Sequence, residues 1–99
     1  MFVAQSRFAV ANGMESDVRE AFINRPHLVD GVDGFIRMEV LNPEDEPNVF
    51  VLMTYWQNKE TWKEWFKGHN YKESHKQIPK GVKLVPQSRK MDYFHLISE

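Results

Sequence analysis

Phe2, Ala4, Ser6, Phe8 and Val10 fall on one side of an alternating N-terminal run, and Val3, Gln5, Arg7 and Ala9 on the other. A period of two predicts a strand. The turn pair Asn12-Gly13 ends it. In "MESDVREAFIN" the period changes: Met14, Val18, Ala21 and Phe22 recur at helical spacing, and Glu15 and Asp17 stand where carboxylates suit the positive end of a helix. Pro26 sits near the end of that element. "GFIRMEVL", Gly34 to Leu41, alternates again as a second strand, and the polar turn "NPEDEPN" follows. "VFVLMTYW", Val49 to Trp56, is apolar nearly throughout, which predicts a central strand covered on both faces. Asn58 is placed to cap a helix carrying Trp62, Trp65 and Phe66, and Gly68 breaks it. A short second helix is expected over Asn70 to Ile78, stopped by Pro79 and Gly81. Pro86 would interrupt a ladder, and "MDYFHLIS" closes the chain as a last strand.

The order strand, helix, strand, strand, helical segment, strand predicts an α+β fold: a ferredoxin-like antiparallel sheet with helices on one face. The other face would expose Val3, Ala9 and half of "VFVLMTYW", an apolar area that monomers rarely leave open. Two chains packed sheet to sheet would cover it, so a homodimer is expected. At 99 residues one domain spanning 1–99 is expected.

Composition narrows the classes. With 13 basic and 14 acidic residues the net charge is −1, which gives no electrostatic case for nucleic acid or an anionic membrane. Without cysteine there is no disulfide, thiolate or iron–sulfur chemistry. No apolar run approaches the roughly 20 residues that span a bilayer, and "MFVAQSRFAV" lacks the pattern of a signal peptide, so a cytoplasmic protein is expected. Aromatics make up 13% of the chain.

Candidate chemistry concentrates in "WKEWFKGHNYKESHK". On a helix Tyr71, His75 and Ile78 share one face, so His75 turns inward. Spacing alone leaves two readings open: a buried histidine satisfied by a carbonyl, or a metal or cofactor ligand. A bare metal site needs further protein ligands, and His69, His27 and His95 lack helical ligand spacing to His75. Haem needs only one histidine. Trp62 and Phe66 are i, i+4 neighbours that suit the sheet contact, while Trp65 is offset from them and could flank a pocket. By pattern alone all three read as core.

The chain resembles the IsdG-like haem-degrading monooxygenases of the antibiotic biosynthesis monooxygenase (ABM) superfamily over nearly its whole length. "FVAQSRF", "GFIRMEV" and "MTYWQNKETWKEWFKG…YKESHK" carry the likeness, with the Trp65-to-His75 spacing. The resemblance implies a single ABM-type domain pairing into a dimeric α/β barrel. It implies that His75 ligates haem iron and that Trp65 packs against the porphyrin and buckles it. Haem would be both substrate and cofactor, cleaved with O₂ and an external electron donor to free iron. The family carries an asparagine on the first strand where this chain has Ser6, which can still donate or accept a hydrogen bond. Gln5 beside it points to the opposite face. The resemblance therefore implies haem binding more directly than haem turnover. Phe8 and Phe22 are expected as apolar walls of the cofactor site. Arg25 is expected either to meet a haem propionate or to be a solvated helix-end residue. Two other functions compete: a cofactor-free ABM-type monooxygenase acting on a small aromatic substrate with His75 as base, and a non-enzymatic dimeric haem-binding protein.

Overall fold

The computed structural model describes residues 1–68 and 78–99. Four strands, β1 (Phe2–Ala9), β2 (Phe35–Leu41), β3 (Val49–Trp56) and β4 (Lys90–His95), form one antiparallel sheet in the order β2-β3-β1-β4. Helices α1 (Glu15–Ile23) and α2 (Lys59–Lys67) connect them, and a short 3₁₀ turn runs over Leu28–Gly31. This is the expected α+β ferredoxin-like arrangement. Of the further helix expected over Asn70 to Ile78, all but Ile78 lies outside the described residues.

Strand alternation decides which side chains meet the helices. In β1, Phe2 and Ala4 are buried among Trp56, Trp62 and Val29. At its other end Val10 is buried with Val18 and Phe50, and Phe8, Phe22 and Leu52 pack around them. Among the described residues the apolar interior thus falls into two clusters, one under α2 and one under α1. Trp56 is 0% exposed; its indole N–H donates to the Thr54 hydroxyl at 2.9 Å, and that hydroxyl donates to the Ala4 carbonyl at 3.4 Å. A buried indole and a buried hydroxyl are both satisfied this way.

Local chemistry sets the helix ends. The Asn58 side chain accepts from the Thr61 backbone N–H at 2.9 Å, the expected N-cap. Gly68 closes α2, its N–H donating to the Trp65 carbonyl. Asn12 holds the loop after β1 against residues 81–83, donating to the Gly81 carbonyl at 2.7 Å. Past the end of β4 pairing, Leu84 bridges Val10, and Pro86 separates that bridge from β4.

β3 is central, between β1 and β2, as expected. Its second face is only partly covered by the described residues, however: Val51, Met53 and Tyr55 are half-buried there, while Val49 at its start is buried. Val3 shares that face and is 4% exposed, with Gln5, Arg7 and Asp92 around it. Among the described residues no helix is long and apolar enough to cross a membrane.

One close approach seats the start of α2 against the turn before β2. Gly34 has φ +83°, and a Cβ there would collide with the Thr61 side chain at the start of α2. Gly34→Ala is expected to destabilise the fold by more than about 1 kcal/mol in denaturant unfolding. Gly31→Ala, where a Cβ meets nothing within 4 Å, is the control. Equal losses from both would contradict the close-packing account.

Candidate functional site

Between the sheet and the helices lies a largely apolar cavity of about 320 Å³. That is near the lower end of the range for small-molecule sites. It is the gap between the two apolar clusters. Small side chains at the middle of β1, Ala4 and Ser6, form its floor with Leu52 and Thr54 of β3. Met38 and Met91 close it from the flanking strands. Methionine's flexible thioether suits an adaptable wall.

Five of the six residues expected at the site line this cavity: Ser6, Phe8, Phe22, Arg25 and Trp65. The sixth, His75, lies outside the described residues. Phe8 stacks on Phe50 with ring centroids 5.6 Å apart and stands 6.3 Å from Phe22, so the two expected apolar walls are one aromatic block. Trp65 projects from α2 and tilts over Trp56 at 5.5 Å. It therefore joins the packed core and the cavity wall, two roles that its spacing set against each other. Trp62 is buried against Phe2, as its spacing predicts. Phe66 differs from expectation. It sits in the last turn of the nine-residue α2, tilts against Trp62 with ring centroids 5.1 Å apart and is 36% exposed, on the cavity side rather than flat on the sheet. Gln5 is absent from the lining, as strand alternation requires.

At the mouth a small charged cluster follows α1. Arg25 Nη1 lies 3.1 Å from one Asp30 oxygen, and His27 Nδ1 lies 3.1 Å from the other. The Arg25 side chain is only 19% exposed. His27 adopts a left-handed backbone, φ 57°, which turns the chain sharply into the 3₁₀ segment. Partial burial alone would raise the Asp30 carboxyl, but the hydrogen bonds from His27 and then Arg25 outweigh it and hold the group below its ordinary value of 3.8. Arg25 is thus neither freely solvated nor uncompensated. The lining also includes Arg89, at the end of the irregular stretch before β4. The available signal was period two: counting back from Met91 on β4 puts Arg89 on the helix side.

The model of the family "Antibiotic biosynthesis monooxygenase" matches residues 1–77. Heme oxygenase (staphylobilin-producing) 1 of Staphylococcus aureus is 30% identical over 79 residues, 78% of this chain and 73% of that protein. Among solved structures, SnoaB, a cofactor-independent oxygenase from Streptomyces nogalater, superposes with a TM-score of 0.77 at 14% identity, covering 99% of this chain and 94% of its own. A point mutant of MhuD with two manganese protoporphyrin IX molecules bound per active site gives 0.77 at 19% identity, covering 100% and 97%. At those identities the structural likenesses speak for the fold.

The depressed carboxyl at the mouth has a consequence for acid stability. Between the lowered folded value and the unfolded one, the unfolded chain binds the extra proton, so stability falls as pH drops through that window. Wild-type protein is expected to lose stability below pH 3.8 more steeply than Asp30→Asn. The effect is modest because Asp30 is 44% exposed and solvent screens the pair. Denaturant midpoints at a series of pH values from about 5 downwards measure it, and parallel acid limbs for the two proteins would refute it.

Proposed function

We propose that this chain, which belongs to the antibiotic biosynthesis monooxygenase family, binds haem in the cavity between sheet and helices and cleaves it oxidatively, releasing iron. The observation that carries the reading is a coincidence of two independent facts. The described cavity is apolar, with aromatic walls and cationic side chains in its lining, which fits a flat apolar ring bearing carboxylates. Separately, the chain is 30% identical to a heme oxygenase over most of its length.

In this reading haem is the substrate, and its reduced iron supplies the centre at which O₂ is activated against the porphyrin. An external donor supplies the electrons. The chain's residues bind and orient. Phe8 and Phe22 receive the apolar face of the ring. Trp65, anchored against the buried Trp56, gives a rigid surface that presses on it. Ser6, in the middle of the cavity floor, would offer a hydroxyl that donates or accepts a hydrogen bond beside the bound ring. His75 provides a neutral imidazole to iron; it is three residues before Ile78, which lines the cavity. Two copies pair through their open sheet faces, where the half-buried Val51 and Met53 lie inside a polar border that includes Arg37, Glu39 and Asp92.

The alternative is a cofactor-free oxygenase using the same cavity for a small aromatic substrate. The modest volume, about 320 Å³, favours it. Addition of haem separates the two: the proposed function requires a saturable Soret shift, then loss of the band with ascorbate and O₂. A Soret shift that persists unchanged under those conditions leaves a haem-binding protein without turnover. His75→Ala is expected to abolish both the shift and the turnover. A variant with unaltered spectrum and affinity would place the iron ligand elsewhere. Light scattering at micromolar concentration is expected to give twice the 11.7 kDa chain mass, and a monomer would overturn the paired-sheet account.

A further inference from the structure

We propose that Arg89, rather than Arg25, anchors the carboxylate end of the cavity's ligand and sets its preference for an anionic one. This rests on the haem reading above and assigns a residue to the acidic edge of that ligand. The lining is mostly apolar, so a carboxylate entering it loses water and needs a charged partner. Two arginines line it among the described residues, Arg25 and Arg89. Arg25 is already matched: its guanidinium is 3.1 Å from Asp30, whose second oxygen faces His27. A ligand carboxylate approaching Arg25 would meet the Asp30 charge beside it. Arg89 has no ion pair or hydrogen bond among the described residues. No acidic residue lines the cavity beside it among those described.

Its placement suits the role. Arg89 immediately precedes β4, and period two puts it on the same side as Met91, which faces Ser6 across the β1–β4 ladder. Arg89 is exposed, so it stands at the rim with its fork of donors open to solvent. An amphipathic ring entering against Phe8 would carry its apolar body inward and leave its carboxylates at that rim. A guanidinium donates two parallel hydrogen bonds to a carboxylate, which lysine cannot reproduce.

The test compares binding of haem and haem dimethyl ester, in the same detergent, to wild type, Arg89→Gln, Arg89→Lys and Arg25→Gln, each verified as folded by circular dichroism. Wild type is expected to bind the free acid about tenfold more tightly than the diester. Arg89→Gln should erase that preference while keeping the diester affinity. Arg89→Lys should retain part of it, and Arg25→Gln most of it. Wild-type preference surviving in Arg89→Gln, or vanishing in Arg25→Gln instead, overturns the assignment while leaving the haem reading intact. Failure of wild type to bind either compound overturns the haem reading and this assignment together.

Discussion

The site depends on the series of side chains that β1 and the residue after it turn toward the helices: Phe2, Ala4, Ser6, Phe8 and then Val10. β1 is an inner strand, paired to β3 on one side and β4 on the other, so its register fixes both neighbours. Large residues at its ends nucleate separate apolar clusters, Phe2 with Trp56 and Trp62, Phe8 with Phe22 and Phe50. Small residues between them leave the intervening volume unfilled. A close-packed interior resists such a gap. Here the gap is held open by aromatic packing at both ends and by the Thr54–Trp56 hydrogen bond on the neighbouring strand. A one-residue slip of β1 would send Phe2 and Phe8 to the open face and close the site.

Charge is arranged around this gap rather than within it. Asp30 collects Arg25 and His27 at the mouth, so burial of the Arg25 stem does not leave an isolated cation. The sharp left-handed turn at His27 brings these three side chains, spread over six positions of sequence, to one point. On the far side of the sheet the pattern is different. Tyr55 donates to Glu39 at 2.8 Å while Arg37 lies over its ring at 3.9 Å, a polar border beside Val51 and Met53. The two faces of one sheet thus carry different recognition chemistry, a walled cavity on one and a mixed flat surface on the other.

Much of this was legible from spacing. Alternation in β1 and β2, the Asn58 cap and the Gly68 stop are local signals, and they gave the element order and the inward placement of Ser6, Phe8, Phe22 and Trp65. Three features were not legible. The 3₁₀ turn and the Arg25–Asp30–His27 cluster depend on one unusual backbone residue, His27, with no sequence signature of its own. Phe66 reads as a sheet contact by i, i+4 logic, but in the last turn of α2 it tilts on Trp62 and lines the cavity. Arg89 follows an irregular stretch broken by Pro86, where alternation cannot be counted forwards, only back from Met91.

The central claim is that the ligand enters the cavity on the helix side of the sheet. Methyl NMR of methionine-labelled protein titrated with diamagnetic zinc protoporphyrin tests it directly, since ring-current shifts are short-ranged. Met38 and Met91 line the cavity, and Met53 lies on the opposite face of the sheet. The account predicts large saturable shifts of the Met38 and Met91 methyl signals with Met53 nearly unmoved. Shifts concentrated at Met53, with Met38 and Met91 unchanged, would contradict it.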